Sequence, residues 1–390
     1  MKDIKVGVVG CGSIAEIAHF PSIAKRPNAK LVAVADVDPG RGQQAAAKWG
    51  AEQVYTDYRE MYAKAGLDAV IVATPNCYHR NQVINAARHK LHVLVEKPMA
   101  VTNKEGWDMV KACKDAGVKL MVGCDRRYWT HNQWAKELIE QGVIGKLLMS
   151  RVCMHEGWRY YQGSVAKTDF RKSLAMTGGA AINDTGAHAI DLLIWLNGSK
   201  VKRAVGVAKK MMMPDSYTLT DDVALAIVEF ENGAMGTISS NRISPAITQN
   251  NELCGTEGTI FTASDATNPF QSWPMAVYTD KEYSNDDLPE ILKNFRWPEI
   301  FWAEDIVNPT VRKRWVPICP PRFPSNYDRM IEHFFDCLTN DKQPLTSGED
   351  GARATEIMCA VLKSMDTGGW VDTDLTEEVV PKGYEPPPEE

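Results

Sequence analysis

The chain has 390 residues, of which 44% are hydrophobic and 24% are charged, a composition typical of a globular protein with two domains. Its formal net charge is -6 at pH 7, so it lacks the basic character that proteins binding nucleic acid or anionic lipid usually carry. Its nine cysteines form no C-x-x-C pair, and no apolar run reaches the roughly 18 residues that a membrane span needs. We therefore expect a cytoplasmic protein with a small-molecule substrate, no nucleic acid, no membrane and no structural metal.

The first 125 residues alternate short apolar runs with segments rich in Ala, Lys, Glu and Gln. The runs are IKVGVV, KLVAVAD, AVIVATP, HVLVEKP and KLMVGCD. Buried strands that alternate with helical segments are typical of a doubly wound parallel sheet. The sequence therefore predicts an α/β Rossmann domain over residues 1–125.

The pattern changes near Arg126, where a helical segment is followed by long period-two runs such as DDVALAIVEFENGAMGTISS. Such runs, joined by Asn-Gly and Glu-Gly turns, predict an antiparallel-rich sheet in a second domain over 126–380. Residues 269–324, rich in proline and aromatic residues, predict an irregular arm. The arm is interpreted either as a surface loop packed by its own aromatics or as a cover for a neighbouring subunit or the substrate mouth. Residues 381–390 predict a flexible tail.

The first strand ends in a G-x-G-x-x-A motif that opens a helix, the arrangement that binds a dinucleotide pyrophosphate. The second strand ends in an acid, Asp36, which is placed to accept hydrogen bonds from ribose hydroxyls and to repel a 2'-phosphate. Arg41 is the nearby basic residue. We expect NAD, with NADP less favoured; the alternative is a tight turn without a cofactor. The loop residues assigned to the cofactor are Gly10, Gly12, Ser13, Ile14 and Ala15.

Two further strands end in ATPN and EKPM. Ligands of doubly wound sheets bind outside the carboxyl ends of the strands, so these segments should line the nicotinamide end. The residues assigned there are Thr74, Pro75, Asn76, His79, Glu96 and Lys97. The alternative for Lys97 is a solvated strand-end lysine that forms an ion pair with Glu96.

The segment TGGAAINDTGAHAIDLLIWLNG carries Asp184, His188 and Asp191 at spacings that a helix would align on one face. An imidazole is a natural acceptor for a hydroxyl proton, and a nearby carboxylate can orient it. A lone helical histidine is more often structural. A divalent metal is the less favoured alternative, because no second His or Cys lies nearby in sequence.

These motifs, in this order, resemble those of the glucose-fructose oxidoreductase, inositol dehydrogenase and rhizopine catabolism family (Gfo/Idh/MocA), over about residues 4–262 and 326–371. The resemblance implies a Rossmann domain followed by an α/β domain with an open, mainly antiparallel sheet, and NAD(P)-dependent chemistry on a sugar, polyol or glycoside. It places catalytic roles on Lys97, Asp184 and His188. Residues expected to contact substrate are these three with Tyr128, His155, Arg171 and Asn183.

The leading hypothesis is an NAD-dependent dehydrogenase that oxidises a secondary ring hydroxyl, with C3 as one candidate position, of a sugar, glycoside or inositol. One alternative is a redox-neutral enzyme whose tightly held NAD supports glycoside cleavage or elimination. Another is a non-catalytic NAD(H)-sensing regulator. A sheet covered by helices on one side leaves an apolar face, for which VALAIVEF is the clearest segment, so we expect a homo-oligomer, either tetramer or dimer.

Overall fold

A computed structural model describes residues 3–157, 169–244, 247–263, 274–284, 287–294, 313, 315–318 and 325–386. The chain forms a six-stranded sheet and a nine-stranded sheet, each with helices packed against it. In the described part of the chain, no helix is long and apolar enough to cross a membrane.

The six-stranded sheet is wholly parallel, with strand order β3-β2-β1-β4-β5-β6, and it confirms the predicted Rossmann fold. Its strands are β1 Ile4–Val9, β2 Ala29–Ala35, β3 Gln53–Tyr55, β4 Ala69–Val72, β5 His92–Val95 and β6 Leu120–Val122. Its helices are α1 Phe20–Ala24, α2 Pro39–Trp49, α3 Tyr58–Lys64, α4 His79–Arg88 and α5 Asn103–Ala116.

The second sheet is mixed and mostly antiparallel, as expected, with β7 and β10 as its parallel pair. Its strands are β7 Leu147–Gly157, β8 Val201–Lys209, β9 Val223–Phe230, β10 Met235–Ser244, β11 Thr248–Gly255, β12 Gly258–Ala263, β13 Met275–Thr279, β14 Trp315–Ile318 and β15 Val371–Asp372. The helices that follow the Rossmann strands in the chain are α6 Thr130–Glu140, α7 Leu174–Thr177, α8 Gly186–Asn197, α9 Asn326–Thr339 and α10 Gly348–Thr367.

Alternation along β9 separates the two faces of this sheet. Ala224, Ala226 and Val228 are buried in the main core with residues of α8 and α10, whereas Leu225 and Ile227 point to the opposite face and are exposed. Side chains on a strand alternate in this way because successive Cβ atoms point to opposite faces. We call the side that carries Leu225 and Ile227 the open face.

Capping residues mark the two ends of α5. Thr102 caps α5 by accepting a hydrogen bond from the Glu105 amide, and the Glu105 carboxylate accepts one from the Thr102 amide. The helix ends at Gly117, whose φ of 70° is left-handed. These signals stabilise a helix terminus because they satisfy amides and carbonyls that have no partner within the helix.

The predicted domain and arm boundaries need three corrections. Helix α9 belongs to the core of the Rossmann domain, because Met330 and Phe334 pack with Val6 and Ile71. The arm is not wholly irregular, because β13 and β14 extend the nine-stranded sheet from within it; residues 269–273, 285–286, 295–312, 314 and 319–324 lie outside the described residues.

The predicted flexible tail is the third correction. Tyr384 is buried and packs with Cys77, Val101 and Leu174, so the segment that precedes residue 387 is held against both domains. Burial of an aromatic side chain contributes about 1.5–3 kcal/mol, which offsets part of the conformational entropy that an ordered terminal segment loses. Residues 387–390 lie outside the described residues.

Candidate active site

The glycine loop after β1 has the geometry of a phosphate cradle. Gly10 has a φ of 89°, and a Cβ there would lie 2.6 Å from the carbonyl oxygen of Ala73. A Cβ on Gly12 would meet nothing within 4 Å, which leaves open space beside the backbone. Ser13 and Ile14 lead into a π-helical turn, Ala15–His19, that continues into α1. The residues therefore fit a pyrophosphate at the start of a helix.

Asp36 is held beside this loop at the end of β2. Its Oδ2 accepts a hydrogen bond from the Cys11 amide at 2.8 Å, and its Oδ1 accepts one from the Asp38 amide at 2.9 Å. Arg41 lies 3.5 Å from Asp36 and 3.3 Å from Asp38, so two carboxylates neutralise the nearby cation. This arrangement suits ribose hydroxyls better than a 2'-phosphate.

The strand-end residues near the predicted nicotinamide end brace one another. Asn76 donates to the carbonyl of Thr177 at 2.9 Å and so joins the Rossmann domain to α7. His79 is fully buried; its Nε2 lies 2.9 Å from the Thr74 carbonyl, and its Nδ1 lies 3.1 Å from that of Pro98. Burial lowers the pKa of His79. Both ring nitrogens therefore face backbone carbonyls, and the contact of His79 with the cofactor stays a prediction.

The carboxylate of Glu96 does not bind the side chain of Lys97. Its Oε1 lies 2.9 Å from His19 Nε2, and its Oε2 accepts a hydrogen bond from the Lys97 amide at 3.1 Å. Gly123 makes room for it, since a Cβ there would lie 3.1 Å from the carboxyl carbon. Burial raises the pKa of Glu96, but His19 and Lys97 outweigh that effect and the net shift is downward. The strand-end ion pair considered for Lys97 and Glu96 is wrong.

The side chain of Lys97 crosses to the second domain instead. Its Nζ lies 2.7 Å from Asp184 Oδ1, although the two residues are 87 positions apart. The other oxygen of Asp184 lies 2.9 Å from Arg242 and 3.4 Å from Arg171. Burial raises the pKa of Asp184, but these three cations together hold it well below its usual range. Asp184 is therefore an ionised carboxylate.

The turn that carries Asp184 is fixed by backbone contacts. Asp221 accepts hydrogen bonds from the amides of Ala180 and Ile182, both at 2.9 Å. Asn183 donates to the Gly178 carbonyl at 3.0 Å and is fully buried. Gly178 has a φ of 76°, and a Cβ there would overlap Val101. The amide nitrogen of Asn183 therefore braces the turn, while its Oδ1 has no hydrogen-bond partner among the described residues, so its contact with substrate stays a prediction.

His188 lies in the first turn of α8, buried beside this group. Its Nδ1 lies 3.6 Å from Oδ1 of Asp125, the first residue of the turn Asp125–Tyr128. Burial, followed by the positive charges of Lys97 and Arg126, lowers the pKa of His188 well below its usual value. These effects favour the neutral ring over the imidazolium.

The predicted alignment of three side chains on one helical face is only partly correct. Asp184 precedes α8 in a π-helical turn, Ala181–Thr185. Asp191 turns away to Arg127, whose Nε and NH2 donate to its two oxygens at 3.0 and 2.6 Å. Both oxygens of Asp191 are thus bound by Arg127, so Asp191 has a structural role and does not orient His188.

Two predicted substrate residues lie elsewhere. Tyr128 is 3% exposed and packs in the apolar cluster of α9, with its ring centroid 5.8 Å from that of His333. His155 lies on the open face, where its Nε2 is 2.8 Å from Ser239 Oγ. The next residue, Glu156, points to the site face and accepts a hydrogen bond from Thr185 at 2.9 Å. A shift of one residue along a strand changes the face.

Sequence reasoning missed three residues of this site. Arg242 is a charged residue at an inward position of β10, where alternation predicts an apolar one, and that mismatch was a detectable signal. Asp125 follows β6 as Lys97 follows β5, so the rule of strand ends applies to it equally. His19, which binds Glu96, carries no comparable signal. Among the described residues, no group of three or more His, Cys, Asp and Glu side chains could hold a metal ion.

The site combines a lysine at a strand end of a Rossmann domain with a histidine and a carboxylate from a mixed-sheet domain. This arrangement is that of a class of two-domain NAD-dependent oxidoreductases. The chain belongs to the Gfo/Idh/MocA oxidoreductase family. Residues 4–124 match its NAD-binding Rossmann fold, and residues 136–373 match its C-terminal alpha/beta domain.

Several known proteins are similar over long stretches. A scyllo-inositol 2-dehydrogenase (NAD(+)) from Bacillus subtilis is 27% identical over 374 residues, covering 95% of this chain and 97% of that protein. A 2,7-anhydro-N-acetylneuraminate hydratase from Escherichia coli is 32% identical over 237 residues, covering 60% of this chain and 61% of that protein. The crystal structure of the WlbA dehydrogenase from Bordetella pertussis, in complex with NADH and UDP-GlcNAcA, covers 96% of this chain and 100% of its own at 26% identity, with a TM-score of 0.74.

The family match and the dehydrogenases among these proteins show that the chain is an NAD-dependent oxidoreductase acting on CH–OH groups. The expectation of an NAD-binding enzyme is therefore confirmed.

Proposed function

We propose that the protein is a dehydrogenase that oxidises a secondary ring hydroxyl of a sugar, glycoside or inositol to a ketone. The observation that carries the proposal is the meeting of Lys97, Asp184 and His188, which lie on different elements of two domains, at the carboxyl ends of the Rossmann strands. The relatives named above support a polyhydroxylated substrate. C3 of the ring is our candidate position.

Lys97 would bind the hydroxyl that is oxidised. Its side chain is 15% exposed, and Asp184 holds its Nζ at a fixed place. An ammonium there donates a hydrogen bond to the hydroxyl oxygen and stabilises negative charge that develops on it. NAD, held by the glycine loop and Asp36, supplies the hydride acceptor.

His188 would accept the hydroxyl proton. A general base has to be unprotonated before the reaction, and burial together with the nearby cations keeps this imidazole neutral. Arg171, whose side chain is 30% exposed, is the residue of the Asp184 group best placed to reach a second hydroxyl.

The experiment that tests this function is a screen of NAD+ reduction across inositols, aldoses and glycosides, with identification of the oxidised carbon by NMR. Stoichiometric NADH and a ring ketone support the proposal. Turnover without net NADH would instead support a redox-neutral reaction with retained NAD, the candidate that similarity to a hydratase favours. NADH binding without turnover of any of these compounds would favour a sensing role.

We also propose that the open face joins copies of this chain into a dimer or tetramer. Its exposed apolar side chains include Met149, Val207, Leu225, Ile227 and Met235, of which Leu225 is 49% exposed. Several large apolar side chains exposed on one face are typical of a surface that binds another protein. Light scattering that shows a particle of 43.4 kDa would contradict this proposal. The cytoplasmic location stays a prediction from cysteine usage.

A further inference from the structure

Asp125 is a buried carboxylate whose two oxygens face different partners. Its Oδ2 accepts hydrogen bonds from Asn326 at the start of α9 and from Arg126 in its own turn. Its Oδ1 faces His188, with 3.6 Å between that oxygen and Nδ1. The side chain is 1% exposed, so water does not compete freely for either oxygen.

His188 Nδ1 is buried and has no hydrogen-bond partner among the described residues. The 3.6 Å separation is longer than a hydrogen bond, and a shift of about 0.4 Å would bring it into hydrogen-bond range. Hydrogen bonds of catalytic groups are commonly long without substrate and shorten when substrate binds.

Two other carboxylates near His188, those of Asp184 and Asp191, bind other cations. Asp184 is surrounded by Lys97, Arg242 and Arg171, and Asp191 is bound by Arg127 through both of its oxygens. Of the three aspartates considered, all in the part of the chain that the structure describes, Asp125 therefore has an oxygen directed at the ring.

We propose that Asp125 is a positioning residue: its Oδ1 accepts a hydrogen bond from Nδ1–H of His188 and so fixes the tautomer whose Nε2 can take the proton of the substrate hydroxyl. This inference rests on the proposed function, in which His188 is the base. The step is a proton transfer, in which the substrate O–H bond breaks and an Nε2–H bond forms. The imidazolium that results lies beside the Asp125 carboxylate, which offsets part of the cost of a buried cation.

The charges that face Asp125 come from four elements. The charged and titratable groups are Arg126 in its own turn, Glu96 and Lys97 after β5, and His188 in α8. The fourth element, α9, contributes the neutral amide of Asn326. Burial raises the pKa of Asp125, Arg126 lowers it and Glu96 raises it, with a net upward shift.

The variant Asp125→Asn tests the tautomer because the surrounding donors restrict its orientation. Asn326 and Arg126 donate toward Oδ2, so the amide oxygen has to face them and the amide nitrogen has to face His188. That nitrogen donates to Nδ1 and shifts the ring proton to Nε2, where it blocks proton acceptance.

The first measurement is ¹⁵N NMR of protein labelled at histidine, with the His188 signals assigned by their loss in His188→Asn. We expect a protonated Nδ1 and an unprotonated Nε2 in the wild type, and the reverse in Asp125→Asn. A wild-type ring protonated at Nε2 would overturn the proposal, whether or not the variant folds.

The second measurement is steady-state kinetics on the substrate found by the screen. Asp125→Asn should lower kcat by about 10²- to 10⁴-fold, with NADH affinity within a few-fold, because the wrong tautomer removes base catalysis. The double variant with His188→Asn should be no slower than His188→Asn alone.

The matched control is Asp191→Asn, which removes a buried, arginine-paired carboxylate one turn further along α8. It should lose stability but keep kcat. An equal loss of kcat in both variants would assign Asp125 a purely structural role. If His188→Asn is inactive while Asp125→Asn is normal, only this inference fails; if His188→Asn is active, the proposed function itself fails.

Discussion

Asp184 and Asp191 are both buried beside arginine or lysine, but they serve different purposes. Asp184 is shared by three cations, one of which, Lys97, belongs to the other domain and remains partly accessible. Asp191 pairs with Arg127, whose side chain is 3% exposed and also donates to the Leu345 carbonyl at 2.7 Å and to Asp350 at 3.3 Å.

The electrostatic outcome differs as well. The pKa of Asp184 is far below its usual range, because three cations outweigh burial, whereas the pKa of Asp191 is raised, because burial outweighs one arginine. A carboxylate that faces three cations stays ionised even when one of them, such as Lys97, turns to bind substrate. A carboxylate with a single cation is stable only as part of its pair.

The largest expected effect is that of Lys97→Met. This variant should lower kcat by roughly 10²- to 10⁴-fold while NADH affinity stays within a few-fold, because the lysine acts on the reacting hydroxyl. Arg242 and Arg171 still compensate Asp184, so the thermal midpoint should change little. Fluorescence titration measures NADH affinity, a thermal scan measures the thermal midpoint, and steady-state assays measure kcat. A near-normal kcat would show that Lys97 is not a catalytic residue.

Arg127→Met should give the opposite result. It leaves Asp191 buried without its cation, which should lower the free energy of unfolding by about 3–5 kcal/mol. The folded protein should retain kcat within a few-fold at low temperature. Denaturant unfolding and assays at 10–15 °C, temperatures chosen to keep the variant folded, check both outcomes. A variant that is stable but inactive would remove the distinction between the two aspartates.

Asp36 is a third buried carboxylate, and its partners include backbone amides. Asp36→Ser should reduce the preference for NADH over NADPH by about 10-fold, because a ribose contact is lost and the repulsion of a 2'-phosphate is relieved. Titration with both reduced cofactors measures the ratio. Tighter NADPH binding by the wild type would contradict the role of Asp36.

The smallest effect concerns pH. An ordinary histidine with a pKa of about 6.5 would be roughly one-quarter protonated at pH 7 and three-quarters protonated at pH 6, so the active base would fall about threefold between the two. The pKa of His188 is well below that value, so the neutral form persists to lower pH and kcat/KM should fall by less than twofold between pH 7 and pH 6. The acidic limb should be altered or absent in His188→Asn. If kcat/KM of the wild type instead falls with an apparent pKa near 6.5, the base is a different group or the His188 ring is more exposed than the structure shows.

The sequence by itself determined the Rossmann fold, the glycine loop, Asp36 and the positions of Lys97 and His188. Each of these depends on a short local pattern, and parallel strands bring their carboxyl ends to one edge whatever the rest of the chain does. The spacing in residues 177–198 also singled out Asp184, and the resemblance to a family gave it a catalytic role and added Arg171; the structure places the two side chains together.

The tertiary structure alone decided which charges meet. Lys97 turns to Asp184 rather than to its neighbour Glu96, and His188 faces Asp125 rather than Asp191. It also decided that His155 lies on the open face while Glu156 reaches the site. Such pairings depend on strand register and on the packing of segments far apart in the chain, and a one-residue shift in register reverses every side chain on a strand.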